Sequence, residues 1–305
     1  MRGSKVTSVQ VAKLAGVSQS AVSRVFTPGA SASPKMAERV RKVAAKLGYR
    51  PNILARSLIT GRSRIIGLLV GYLDNYFYPG VVEKLSHALQ AKGYHVLVFM
   101  ADNANEYVNN VFDEILDYQV DGVVMASVAI SSGIATRCQE AGVPMVMFNR
   151  LQDDERFSTV TSDNAGAGQQ VADFLVRGDH QRIGYVAGWQ GASTQRDREA
   201  RFRQGLAAHG VELFAHDVGA FNYERAQNAA RNMFASADKP DALFVANDHM
   251  AFAVMDVLRS EFGLSVPGDV SVVGFDDVPP ASWPAYNLTT IRQQSDVMVL
   301  SLIHI

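Results

Sequence analysis

Four short runs rich in Val, Ile and Met, at 65–70, 95–100, 122–125 and 144–148, are parted by amphipathic stretches of helix length. A second series of such runs follows at 159–161, 182–186, 242–246 and 270–275. Strand and helix alternating on this scale give parallel sheets with helices on both faces. Two series imply two lobes, and 305 residues suffice for more than one domain. With 48% hydrophobic and 19% charged residues, the chain excludes a disordered tail or a coiled rod.

In open parallel sheets a ligand sits beyond the carboxyl ends of the strands. Tyr72, Asp74, Asn75, Tyr76 and Phe77 follow the first run, Asn149 and Arg150 the fourth, Asn247 and Asp248 the seventh, and Asp276 and Asp277 the last. Phe221 and Tyr223 precede another helical stretch. Flat rings cover the C–H face of a sugar or stack on a base, while Asp, Asn and Arg form paired hydrogen bonds to neighbouring hydroxyls. The set therefore predicts a cleft for a small polar ligand. Asp163, Asn164 and Asp248 each open a helical pattern and fit a helix cap as well as a ligand contact. In the run 196–203, i,i+4 spacing pairs Asp197 with Arg201 and Glu199 with Arg203, leaving Arg196 and Arg198 free.

The net charge of −1 hides an unequal division. Residues 1–64 hold thirteen Lys and Arg against one acid, Glu38, a balance of +12, and the remaining 241 residues carry −13. A small segment this basic is the footprint of a polyanion binder. Its apolar pattern predicts three helices. Thr7 and Gln10 have capping-box spacing, and the helix they open runs through Leu14 to Gly16. Ser18 caps a second helix from Gln19, about three residues on, which is helix-turn-helix spacing. Ser33-Pro34 opens a third, with Met36, Val40, Val43, Ala44 and Leu47 on one face. In such a unit the first turn of the second helix reaches base edges in the major groove. That assigns Gln19, Ser20 and Arg24 to bases and Thr7, Ser18 and Ser23 to phosphates. Residues 52–60 predict a short hinge helix of about 13 Å, ended by Gly61 and too short to stand without DNA.

Other chemistries lack their signatures. Cys138 is the one cysteine, so no internal disulfide forms, and no Cys/His spacing suits a metal. No GxSxG, HExxH or GxxxxGK[ST] occurs, and Gly166-Ala167-Gly168 lacks the third glycine of a dinucleotide fingerprint. Asp276-Asp277 has no partner nucleophile, so hydroxyl binding outweighs acid–base work there. Residues 1–10 show no export signal and no stretch spans a membrane, so a cytoplasmic protein without cofactor is expected.

Residues 9–25, VQVAKLAGVSQSAVSRV, followed by Ser33-Pro34, Gly48-Tyr49-Arg50-Pro51-Asn52 and Ala55-Arg56-Ser57-Leu58, resemble the LacI/GalR family of bacterial regulators. The resemblance extends to about Asp296, beyond which the family continues through a helix and strand that Val299 to Ile305 do not match. It implies an all-α helix-turn-helix headpiece (1–50), a hinge (51–63) and an α/β two-lobed, periplasmic-binding-protein-like sensor domain (64–305). The first lobe is expected at about 64–158 plus 292–305, the second at about 159–291. Paired hinge helices would enter the minor groove through Asn52, Ala55, Arg56 and the wedge Leu58. Effector contacts are implied for Arg198, Phe221, Asn247 and Asp276, beside Tyr72, Asn75, Phe77 and Asn149 from the strand ends. Arg201, where the family commonly has a small residue, and Tyr76, where it often has Pro, leave the effector open among sugar, sugar acid and nucleobase. The implied function is a ligand-responsive repressor of a metabolite operon, a homodimer on a pseudo-palindromic operator. The alternatives are a sugar-binding protein for transport or a sugar-modifying enzyme.

Overall fold

The computed structural model describes residues 6–27, 29–51, 61–100, 105–128, 132–152 and 156–304. Two units, Met1–Ser63 and Arg64–Ile305, divide the chain. In the first unit, α1 (Ser8–Ala15) opens on a capping box in which Thr7 and Gln10 bond reciprocally. Gly16, at φ 60°, ends it in the left-handed conformation that glycine adopts without a Cβ penalty. Ser18 caps α2 (Gln19–Val25) by accepting from Ala21 N at 3.2 Å. Ser33 makes no side-chain cap on α3 (Pro34–Leu47); Pro34, whose ring presets φ, starts that helix instead. Val11, Ala15, Val22, Val25, Val40 and Ala44 form the core, small residues that let the three helices cross closely.

The second unit alternates strand and helix: β1 (Ile65–Val70), α4 (Phe77–Ala91), β2 (His95–Met100), α5 (Asn105–Asp117), β3 (Gly122–Ala126), α6 (Ser132–Ala141), β4 (Met145–Phe148) and β5 (Ser158–Val160). Then follow α7 (Asn164–Arg177), β6 (Ile183–Ala187), α8 (Ser193–Ala208), β7 (Ala215–Val218), α9 (Tyr223–Phe234), β8 (Ala242–Val245), α10 (Asp248–Ser260), β9 (Ser271–Asp276), β10 (Thr289–Arg292) and α11 (Ser295–Leu302). The strands make two five-stranded parallel sheets, ordered β2-β1-β3-β4-β5 and β10-β9-β8-β6-β7. The order reverses between β1 and β3 and again between β6 and β8, the switch points at which such folds open a crevice. The inner strands β3 and β6 are buried throughout, which is why they read as continuous apolar runs.

Three strands depart from the sequence reading. The run expected to open the second series closes the first sheet: Val146, Met147 and Phe148 pair with Ser158, Thr159 and Val160. Three residues carry too little apolar pattern to name their sheet. The edge strands β7 and β10, with the sequences AHDV and TTIR, keep no fully buried residue, so no apolar run announced them. The chain crosses between the sheets at 161–163 and 293–294, where Ser162 Oγ donates to Gln293 Oε1 at 2.7 Å. Arg292 thus belongs to the second sheet, and α11 returns to pack on α4, its Asp296 and Ser295 each 2.8 Å from Lys84 Nζ. Among the described residues, no helix is long and apolar enough to cross a membrane.

Candidate ligand cleft and nucleic-acid interface

The carboxyl ends of both sheets converge on one cleft. From the first sheet come Tyr72, Asn75 and Phe77 after β1 and Asn149 after β4. Asn75 Oδ1 accepts from the N–H groups of Phe77 and Tyr78 at 3.1 and 3.2 Å and so starts α4. Asn149 sits at φ 56°, a strained conformation for a residue with a Cβ, held by its N–H donating to Val160 O at 2.7 Å. Its Nδ2 donates to the Tyr78 hydroxyl at 3.2 Å, while its buried Oδ1 has no hydrogen-bond partner among the described residues.

From the second sheet come Arg198, Phe221, Asn247 and Asp276. Asn247 Oδ1 caps α10 by accepting from Met250 N at 3.0 Å. Phe221, at φ 61°, lies against Gly188 so closely that a methyl group there would fall among its ring atoms. Asp276, at φ 131°, accepts from Gln293 Nε2 at 2.7 Å. Arg198 donates through Nη1 to Ala246 O and through Nη2 to Asn164 Oδ1 at 2.7 Å. Gly168 on α7 lets the α8 backbone at Arg198 approach, because any Cβ would overlap the Arg198 carbonyl.

The eight side chains implied as effector contacts line one cleft, as does Arg150, also read at a strand end, and Tyr78, Thr194 and Gln293 join them. Asp74, Tyr76, Tyr223, Asp248 and Asp277 are not among the lining residues. Arg150 is 3% exposed; Nη2 donates to Ser127 O and Oγ, while Nε and Nη1 have no hydrogen-bond partner among the described residues. Of the residues open to a capping role, Asp163 caps α7 through Gly166 N, and Asn164 holds Arg198. Asp248 accepts from Val278 N at 3.0 Å and from Thr290 Oγ1 at 2.5 Å, tying the helix to the loop after β9 and to β10. On α8 the Glu199–Arg203 pair forms at 2.8 Å. The expected Asp197–Arg201 pair does not, because Arg201 turns to Gln204 Oε1, and Arg196 is held by the carbonyls of Gln190 and Gly191.

Burial sets the electrostatics. It raises the carboxyl pKa of Asp276, a rise that neighbouring Asp248 increases and Arg198 opposes. Asp248 is raised too, chiefly by burial. Burial likewise lifts the Tyr72 hydroxyl far above its usual range and lowers Arg198. Contacts between the lobes close the rim: Arg150 lies 5.6 Å from the Trp189 ring centre, Leu151 N donates to Ser193 Oγ at 2.8 Å, and the Tyr76 and Trp283 rings meet at 6.2 Å. His249 Nε2 is 3.8 Å from Asp74. The cleft walls leave a cavity of about 20 Å³, room for about one water. A ring-sized ligand enters only if the lobes part or lining side chains swing away. Among the described residues, no group of three or more His, Cys, Asp or Glu is placed to hold a metal ion.

In the other unit, Gln19, Ser20, Ser23 and Arg24 lie exposed along α2, opposite buried Ala21, Val22 and Val25. Ser8 Oγ holds Gln19 Nε2 at 3.0 Å, and Ser18 and Ser20 hydroxyls sit 2.9 Å apart. Thr7 is engaged in its cap. Asn52, Ala55, Arg56 and Leu58 lie outside the described residues.

Residues 9–52 match the family model for bacterial regulatory proteins of the LacI family, and residues 66–282 match that for a periplasmic binding protein domain. The HTH-type transcriptional regulator CelR of Thermobifida fusca is 33% identical, over 97% of this chain and 89% of its own. The chain belongs to the LacI family. This LacI-family protein is a DNA-binding transcriptional regulator, a helical headpiece joined to a two-lobed sensor. It is similar to the solved Lac repressor dimer bound to operator and the anti-inducer ONPF, at 27% identity and a TM-score of 0.87 over 98% of this chain and 91% of that one. A CelR–cellobiose complex is similar at 30% identity and a TM-score of 0.72, over the same shares.

Proposed function

We propose that this LacI-family regulator is a repressor that acts as a homodimer on an inverted-repeat operator and answers to a small polyhydroxylated effector. The observation that carries the reading is the convergence of polar and aromatic side chains from both sheets on one cleft, with buried hydrogen-bonding atoms left unpaired among the described residues. Effector binding then selects one lobe arrangement, and linkage of about 1–3 kcal/mol is enough to change operator affinity 5- to 150-fold. Gln19, Ser20 and Arg24 read bases, Thr7, Ser18 and Ser23 grip phosphates, and the hinge residues Asn52, Ala55, Arg56 and Leu58 enter the minor groove. The solved Lac repressor sits on its operator as a dimer and CelR holds cellobiose, which supports both halves of the reading. The cleft binds rather than catalyses: Asp276 is engaged with Gln293, and Asp248 with Val278 and Thr290. The protein works in the cytoplasm, where its DNA is.

The test is selection of duplexes from a random library by the full chain, followed by titration of sugars against the selected site. An inverted repeat whose binding weakens with added salt, and changes at least fivefold with one sugar, supports the reading. Absence of any preferred duplex sinks it.

A further inference from the structure

The cleft is unequal in charge. Arg150 and Arg198 line it as cations, and Asp276 is the one acid lining it among the described residues. Asp248, behind Asp276, is spoken for by the Val278 N–H and the Thr290 hydroxyl. Burial pushes both carboxylates toward their neutral forms, which leaves less negative charge facing the two guanidinium groups. The unused hydrogen-bonding capacity points the same way. Among the described residues, Arg150 Nε and Nη1 and Arg198 Nε are buried donors with no hydrogen-bond partner, against one such acceptor in the cleft, Asn149 Oδ1. A neutral sugar would supply hydroxyl oxygens to those donors and leave the positive charge in place. An anionic group supplies acceptors and neutralises it at once.

The two arginines are not equivalent. Arg198 spends both terminal nitrogens on Ala246 O and Asn164 Oδ1. Arg150 spends only Nη2, on Ser127, and has the Trp189 ring beside it. On the reading of this cleft as the effector site, we infer that the effector is a single-ring polyol carrying one anionic group, a carboxylate or a phosphate, seated on Arg150, with its hydroxyls toward Asn149, Asn247 and Asp276.

Calorimetric titration of the full chain tests this with D-glucuronate, D-galacturonate and glucose 6-phosphate set against D-glucose, D-galactose and cellobiose. At least one anion is expected to bind about tenfold or more tightly than its parent hexose, and the uronates and the phosphate separate the two sources of charge. Arg150→Gln should bring the ratio of hexose to anion dissociation constants to about one, while Arg150→Lys retains a preference for the anion. That ratio is internal to each variant, so partial unfolding does not mimic it. A neutral sugar binding as tightly as its acid overturns the charge assignment and leaves the effector cleft standing. Silence from the whole panel overturns both.

Discussion

The guanidinium carbon of Arg198 lies 3.2 Å from the centre of the Phe275 ring, so that this buried cation is stacked on an aromatic face. A carbonyl oxygen of Ala246 and the amide oxygen of Asn164 take its terminal N–H groups. No carboxylate pairs directly with it among the described residues, and burial is the main force lowering its pKa. The charge is tolerated by dipoles and a ring.

Asn164→Ala removes one of those dipoles. The variant is expected to lose about 1–3 kcal/mol of stability, because a buried guanidinium nitrogen is left unpaired. Urea denaturation followed by tryptophan fluorescence measures it: the midpoint falls with the slope unchanged. An unchanged midpoint would show that Arg198 finds another partner.

Gly188→Ala addresses the other wall. Its methyl group would overlap the Phe221 ring, so that ring, which lines the cleft, must swing aside. A destabilisation of about 1–3 kcal/mol is expected, together with weaker binding of whichever sugar shifts the wild type. Thermal melting with and without that sugar separates the two effects, because specific binding raises the melting point by an amount that grows with the logarithm of ligand concentration over Kd.

The eight cleft residues chosen from sequence were legible because apolar strands point to their own carboxyl ends, where polar and aromatic residues stand out. The structure adds residues that lack such a marker. Gln293 follows a polar edge strand, Thr194 sits in the first turn of a helix with no apolar start, and Tyr78 adjoins Phe77 on the same helix. Arg150 was legible beside Asn149 at the strand end, but its burial and unused donors were not. The positive φ values of Asn149, Phe221 and Asp276 are equally silent in sequence, since none is glycine. The contact from Asn164 to Arg198 spans 34 residues and depends on Gly168 bringing two helices together.

Arg24→Ala tests the headpiece. Arg24 is exposed on the face of α2 opposite the core, so its loss is expected to leave folding unchanged. One good arginine–guanine pair is worth about 1–3 kcal/mol of discrimination. Duplex selection with the variant should relax preference at one position of each half-site, and binding at that position should weaken about five- to 150-fold. Uniform weakening across all sequences would reassign Arg24 to the phosphates.

The pH dependence of stability follows from Asp276 and Asp248, both buried and both raised in pKa by that burial first. Each carboxyl keeps its proton in the folded protein at pH values where the unfolded chain, with an ordinary pKa of about 4, has released it. At these two groups the folded state therefore binds more protons, and their contribution to stability falls as pH rises from about 4 through the raised folded values. Asp276→Asn keeps an oxygen to accept from Gln293 while removing the group that must ionise. It is expected to be more stable than the wild type at pH 8 by at least about 1 kcal/mol, to match it near pH 4.5, and to respond less to effector. Urea midpoints at pH 4.5, 6, 7 and 8 give the answer: wild-type and variant curves that stay parallel across this range would mean that Asp276 ionises as freely folded as unfolded.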